Sequence, residues 1–292
     1  MKKKAYLKDC RKMFKNNFTR FISIVLIIIL GTAFFVGMNA VAPAMEDDAE
    51  KYMKENNIFD ISLSSNLGYK EEDIEKFKED ADVKEIQGVF LYDVLTLYDK
   101  KDVTLRLFSS DKESDINKSK ILDGRNIEKD NECLICSRLK DMYGYNIGDK
   151  IKVYRTDDTN LDDYIKYTEY EIVGVAQNPA YISKFYGNTT LLTGELNSYI
   201  IVDKQVFNMK DYTTVYIKLD IDENIKKFSD EYKKELEDKL DKIKSIDKEI
   251  AQNKFDKLYK EKEKEVLDYA SQIEKTEQYI EKLYSKINAS QK

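Results

Sequence analysis

Apolar and polar positions change rhythm four times along the chain. Residues Phe21–Ala42 (FISIVLIIILGTAFFVGMNAVA) carry no charge, with Arg20 before them and Glu46 the first charge after them. At ~1.5 Å per residue a helix of this length reaches ~33 Å, enough for a hydrocarbon core of ~30 Å. The run predicts a transmembrane helix. Ahead of it, Tyr6, Leu7, Met13, Phe14 and Phe18 recur at helical spacing among Lys and Arg. That spacing predicts a basic amphipathic helix suited to the inner leaflet. It serves either as a charged flank that fixes topology or as a surface that touches a partner.

Beyond the span the pattern shortens. Ala44–Asn57 continues the helix out of the membrane. Phe59, Ile61 and Leu63 alternate with polar residues, which predicts a half-buried strand, and Asn66-Leu67-Gly68 predicts a turn. Glu71–Asp80 reads as a short helix with Ile74, Phe77 and Ala81 inward. Val89–Tyr98 is apolar on both faces and is expected in the centre of a sheet. Val103, Leu105 and Leu107 give another strand, so the order is β-α-β-β. Asp111–Lys120 is a polar loop, and Asp123-Gly124 predicts a turn. Glu132–Cys136 is a strand, followed by a helix with Ser137 as N-cap, Leu139, Met142 and Tyr143 inward, and Gly144 as stop. Gly148-Asp149 turns the chain into a strand at Ile151 and Val153. Asp157–Asp163 is an acidic hairpin loop, Tyr170–Val175 a strand ended by Asn178-Pro179, and Leu191–Leu196 a loop. Tyr199–Val202 and the alternating Thr213, Val215, Ile217 and Leu219 are the last strands.

From Asp222 the spacing becomes three and four: Ile225, Phe228, Tyr232, Leu236, Leu240, Ile243, Ile246 and Ile250, then Val266, Ala270, Ile273, Ile280, Leu283 and Ile287. This predicts a long amphipathic helix with coiled-coil character, ~100 Å if unbroken to Asn288. Its middle, Lys257–Glu265, has few apolar positions and is the expected place for a bend or break. One apolar stripe needs a partner: the return arm of a helical hairpin, a second copy, or the other half of the same helix folded back.

Composition narrows the function. The chain has 292 residues, a net charge of -6, 36% charged residues and a mean hydropathy of -0.60, despite one strongly apolar segment. That combination fits one anchor with a soluble domain, and the acidic balance argues against nucleic acid. With no His, a His-based triad and a His metal ligand are both excluded. The leader holds Lys2, Lys3, Lys4, Lys8, Arg11, Lys12, Lys15 and Arg20 against Asp9, whereas the far flank opens with Glu46, Asp47, Asp48 and Glu50. The positive-inside rule then places the N-terminus in the cytoplasm and residues 43–292 outside. A signal peptide is the competing reading, and Ala40-Val41-Ala42 has the A-x-A form. A signal peptide's apolar region, however, spans only ~7–15 residues.

Candidate chemistry is sparse. Cys133 and Cys136 have the spacing of a redox or metal half-site, but they fall on a predicted strand, where positions three apart face opposite ways, and Cys10 lies across the membrane. They read as small buried hydrophobes. Asp157, Asp158, Asp162 and Asp163 lack EF-hand spacing. There is no P-loop and no nucleophile–base constellation. Asn188 and Asn288 open glycosylation sequons. No catalytic, cofactor-binding or metal-binding residue is assigned.

The leader and span, LKDCRKMFKNNFTRFISIVLIIILGTAFFVG, resemble the opening of FtsX-like ABC transporter permeases. The block ILDGRNIEKDNECLICSRLKDMYGYNIGDKIKVY, with YEIVGVAQNPAYIS after it, resembles the MacB-type periplasmic core domain: a Gly-Arg turn, a strand, a short helix, a Gly-Asp turn and a strand ending Val-Gly-Val. LTGELNSYIIVDKQVFNMKDYTTVYIKL is similar to Gram-positive members. The resemblance covers roughly Leu7 to Leu219. It implies a non-catalytic permease subunit in the cell membrane, working as a homo- or heterodimer with a cytoplasmic ABC ATPase. It also implies an extracellular protein or peptide partner reached by the helical arm. Such permeases have four or more spans and this sequence has one, so it is expected to be the N-terminal portion of a longer chain. The expected architecture is α+β: a leader over 1–20, a transmembrane helix over 21–42, a mixed α/β MacB-like core over 43–221 and a coiled-coil-like arm over 222–292. The alternative is a single-pass adaptor or sensor acting through the coiled coil.

Overall fold

A computed structural model describes residues 2–290 except 81, 112, 113, 158 and 223, and the side chains from 6 to 283 except at those positions and 80. The chain divides into two compact units, residues 1–55 with 226–228, and residues 56–225 with 229–292.

The first unit holds helix α1 (Lys2–Asn16) and helix α2 (Phe18–Glu55). Only Asn17 separates them, and the backbone ladder continues through it, Asn17 donating to the Met13 carbonyl and Phe21 to that of Asn17. Phe14 packs on Phe21 at 4.3 Å between ring centroids and on Phe18 at 6.2 Å. The span from Phe21 lies within α2, which continues to Glu55. The helix is long and apolar enough to cross a membrane, with a mean hydropathy of 2.7 in its most apolar window and no buried residue there. Its few polar side chains turn back on the helix: Ser23 donates to the Thr19 carbonyl, Thr32 to that of Ile28 and Asn39 to that of Phe35. Lipid offers them no other partner.

The second unit is built on two sheets. Its elements are β1 (Ile61–Tyr69), α3 (Glu71–Asp80), β2 (Val83–Val89), β3 (Leu91–Tyr98), β4 (Lys101–Ser110), β5 (Lys120–Gly124), β6 (Glu132–Ile135), α4 (Ser137–Tyr143), β7 (Lys150–Lys152), β8 (Glu169–Gln177), β9 (Ser198–Asp203), β10 (Tyr212–Leu219) and α5 (Asp230–Ser290). The smaller sheet is antiparallel, in the order β1-β10-β2. The larger is mixed, in the order β3-β4-β9-β6-β8-β5, with β7 on β8 beside the end that β5 leaves free.

Several expectations change. Val89–Tyr98 is not one central strand. Val89 ends β2 in the small sheet, Phe90 makes the crossing, and β3 is the edge of the large sheet. Residues Val94–Thr96 are still buried on both faces, and Tyr154 closes the open edge by exchanging backbone hydrogen bonds with Leu95. The strand β2 is absent from the pattern because Lys84 and Glu85 interrupt its alternation. Asn66–Gly68 does not turn the chain; it is an irregularity within β1, where Gly68 takes φ +67 and a Cβ would meet that of Asp211 at 2.6 Å. Asp123-Gly124 likewise ends strand β5 rather than turning: a Cβ on Gly124 would lie 2.4 Å from the Val173 carbonyl. The N-cap of α4 is Cys136, not Ser137, and Met142 is exposed rather than inward. Gly144 is the left-handed stop as expected. Ala81 and Asp158 lie outside the described residues, as do the side chains of Ile287 and Asn288.

Helix α5 begins at Asp230, so Ile225 and Phe228 precede it, and it runs through Lys257–Glu265 without a break. That middle is rich in Lys and Glu, which are strong helix formers, and Lys262 pairs with Glu265 at 2.8 Å. Its 61 residues reach about 90 Å. The halves therefore do not fold back on each other. The first half has a partner within the chain: Tyr232, Ile243 and Ile250 are buried, and Ile243 and Ile250 pack with Ile61, Val215, Ile217 and Leu219 of the small sheet and Ile74 and Phe77 of α3. Polar clasps border this contact. Tyr69 donates to Asp247 at 2.7 Å, Lys254 reaches Asp73 and the Gly68 carbonyl at 2.6 Å, and Tyr232 donates to Asp60 at 3.1 Å. Sixteen residues, about four and a half turns, separate Ile250 from Val266, so the distal stripe begins on the opposite side of the helix. There Tyr259, Val266 and Ile273 are each 60–65% exposed.

This division is testable. Ile243→Ala should lower stability by ~2–4 kcal/mol through a cavity beneath α5, whereas Val266→Ala should stay within ~0.5 kcal/mol. Denaturant unfolding of the two variants makes the comparison, and equal losses would contradict the assignment.

Candidate functional site

Two features of the second unit present themselves as binding surface. The first is an open groove of about 850 Å³ between the β1–β10 side of the small sheet and the β3–β4 edge of the large one. Ser64–Gly68, Leu91–Asp93, Arg106, Arg155 and Tyr164 are among the residues that line it. Its arginines are already engaged. Arg106 forks onto Asp93 at 2.7 and 2.8 Å and donates to the Asn188 carbonyl, which ties the edge strand to the loop after β8. Burial disfavours the Arg106 charge, but the Asp93 carboxylate outweighs it and holds the guanidinium more firmly protonated. Arg155 binds Asp157 and donates to the Asp93 carbonyl at 3.0 Å, its guanidinium 5.5 Å from the centre of the Tyr92 ring. Tyr92 stacks on Tyr164 at 4.7 Å, and its hydroxyl is buried beside Arg155. These groups shape a wall. They offer no adjacent nucleophile and base.

The second feature is the connection between β8 and β9. Tyr181, Tyr186 and Tyr199 form an aromatic cluster with centroids 4.6–5.3 Å apart, and Arg138 of α4 lies 4.0 Å over Tyr186. Arg138 also donates to the carbonyls of Asn197 and Lys184. This anchors the base of the loop and leaves Ile182, Phe185 and Leu192 more than half exposed on its rim. Sequence reasoning missed both features, since each joins residues far apart in the chain. The signal available was the high Tyr content, 21 residues, without a pattern to group them.

The residues singled out in the sequence lie elsewhere. Cys133 and Cys136 are both buried, and burial pushes the Cys133 thiol well above its usual range. Cys136 contacts the Ser198 hydroxyl at 2.8 Å. Asp157 is held by Arg155, which keeps its carboxyl well below the usual range. Asp162 and Asp163 form a short helical turn capped by Asn160. Asn188 uses its carbonyl for Arg106.

The Gly-Arg segment acquires a clear role. Arg125 forks onto Glu132 at 2.7 and 2.8 Å, and the amides of Glu128 and Lys129 donate to the same carboxylate. Glu132 is 1% exposed at the start of β6, between β8 and β9. The Arg125 hydrogen bond dominates and, against burial, depresses the carboxyl to about 2 from its ordinary 4.5. A depressed acid contributes stability above its unfolded pKa and loses it as pH falls through the folded one. The stability gap between the parent chain and Glu132→Gln should therefore be widest above pH 4.5 and narrow toward pH 2. Denaturant unfolding across that range measures it, and a gap independent of pH would remove the assignment.

The model of the MacB-like periplasmic core domain matches residues 21–235. No individual curated protein matches. Among solved structures, the extracellular domain of the noncanonic ABC-type transporter YknZ from Gram-positive bacteria is 19% identical, with 60% of this chain and 85% of that one covered at a TM-score of 0.34. The periplasmic region of MacB from Actinobacillus actinomycetemcomitans is 10% identical, with 62% and 75% covered at the same TM-score. Likenesses this loose transfer no site. The family resemblance expected from the Gly-Arg, Gly-Asp and Val-Gly-Val segments is borne out by the family model. Matched from the start of the apolar run to the first turns of α5, this chain belongs to the MacB-like periplasmic core domain family.

Proposed function

We propose that the chain is the N-terminal portion of a permease subunit of an FtsX/MacB-type ABC transporter. In this reading α2 crosses the membrane with α1 in the cytoplasm and the two-sheet unit outside. A separate ABC ATPase hydrolyses ATP, and the motion reaches the exterior through α2. The permease works as a dimer, and the exposed distal part of α5 contacts an extracellular protein or peptide. The working divisions are residues 1–20, 21–42, 43–221 and 222–292. One observation carries the reading: the family match spans the apolar helix and the two-sheet unit as one stretch. The asymmetry of charge across the apolar run supports the orientation, with eight Lys and Arg before it against Asp9 and an acidic flank after it.

A second reading, a single-pass adaptor or sensor, is favoured by the exposed stripe of α5. One experiment separates the two. The product of the full gene is co-purified with a candidate cytoplasmic ABC ATPase, and ATP hydrolysis is assayed in lipid. The permease reading expects a stable complex with altered ATPase rate. An ATPase that neither binds nor responds, from a gene with no further apolar spans, would sink it in favour of the adaptor.

A further inference from the structure

A cavity of about 180 Å³ lies on the seam between the two sheets of the second unit and shares no lining residue with the open groove. Its apolar wall follows from register. Phe108 of β4 pairs with Ile201 of β9, and Ile201 with Leu134 of β6, so the three side chains stand side by side on one face of the large sheet. All three are buried. The small sheet contributes Gln87 of β2, which pairs with Tyr216 of β10. The chain from Ser114 to Ser119 adds hydroxyls and amides to the lining.

The polar side has hydrogen-bonding capacity to spare, and its charges are already paired. Asp111 lies 3.0 Å from Lys204, and Lys118 lies 2.9 Å from Asp115. Gln87 Oε1 accepts from the Ser114 hydroxyl at 3.0 Å, which leaves the Gln87 amide nitrogen to donate. Ser109 Oγ accepts from the Phe90 amide at 2.9 Å and keeps its own proton to donate. Asn117 has the complementary lack. The Ala180 amide donates to Asn178 Oδ1 at 3.0 Å, which identifies that atom as the oxygen. Asn117 Nδ2 donates to the same oxygen at 2.8 Å, so Asn117 Oδ1 is left buried with no partner among the described residues. A buried acceptor left in this way is costly.

Size and lining together select an occupant. A cavity of ~150 Å³ accepts a benzene ring, so this one holds a six-membered ring with substituents. Water needs about two to four polar partners, and the wall of Phe108, Ile201 and Leu134 offers it none. We infer that the cavity binds a single neutral sugar ring, its C–H face against Phe108, Ile201 and Leu134 and its hydroxyls on Gln87, Ser109 and Asn117. None of these groups titrates near neutral pH. A charge on the ligand would be buried without a counter-ion, because the ions in the lining are already paired. The inference goes beyond the permease reading and does not depend on it.

The test uses the full chain in phosphatidylcholine nanodiscs. The probes are D-glucose and two rings of the same size, glucuronate with a negative charge and glucosamine with a positive one. Saturation-transfer difference NMR should show transfer to the glucose ring protons, with half-saturation at roughly millimolar sugar. That transfer should be equal at pH 6 and pH 8. At pH 6 the two charged rings should bind at least about tenfold more weakly. Gln87→Leu removes a donor at similar size, and Ser119→Phe occupies space in the cavity. Each should weaken glucose binding about tenfold, and the pair guards against a folding defect in either one. No transfer to glucose from the unmodified chain means that water alone fills the cavity and overturns the inference. Transfer that survives both substitutions puts the sugar elsewhere and overturns it as well. Charged rings that bind as tightly as glucose overturn the neutral class. None of these outcomes bears on association with an ATPase, so this inference and the permease reading fail separately.

Discussion

One strand serves two cores, and the two-sheet unit is arranged around that constraint. The alternate residues of β10 face opposite ways. Val215, Ile217 and Leu219 enter the cluster closed by α3 and α5, whereas Tyr216 faces the core of the large sheet, stacked on Phe59 at 4.1 Å. A strand with two apolar environments needs neighbours on both edges, and β1 and β2 supply them. The fit is tight enough to dictate a residue on the next strand: a Cβ at Gly88 of β2 would fall 2.5 Å from the Tyr212 ring. Slipping β10 by one residue would exchange its two faces and put both cores in error at once.

The same constraint explains where α5 is fixed and where it is not. The small sheet has an apolar face that cannot stand in water, and the first half of α5 covers it with Ile243 and Ile250. Ionic contacts frame that apolar contact, with Lys76 to Glu249 and Lys254 to Asp73 on one side and Lys239 and Lys242 to Asp82 on the other. Past Lys254 the helix continues on its own propensity. Tyr259, Val266 and Ile273 lie on the side away from Ile250, so the exposed part of the helix carries a second stripe in a new direction.

Legibility in the sequence followed the range of the interaction. The apolar run, α3 over Glu71–Asp80, the Gly144 stop and the strand of Val103, Leu105 and Leu107 were readable because each depends on neighbours within a few residues. The misread positions share a different cause. Val89 and Leu91 look like one strand because burial hides the boundary between two sheets. Gly68 and Gly124 look like turns because a glycine held at a left-handed position within or at the end of a strand (φ +67 and +78) and crowded by a distant segment carries the same letter as a glycine demanded by a turn. The groove pairs Arg106 with Asp93 and the tyrosine cluster joins Tyr181, Tyr186 and Tyr199; no local pattern announces either.

The sequence alone determined that an uncharged run long enough to span a bilayer separates a basic amphipathic leader from an acidic remainder, that the remainder alternates short strands with short helices, and that a long helix follows. Charge and periodicity act along the chain and need no fold to be read. Only the tertiary structure decided which strands share a sheet, that β3 is an edge closed by Tyr154, and that α5 is half docked and half free. Those choices turn on the burial of faces brought together across more than a hundred residues, such as Tyr69 with Asp247.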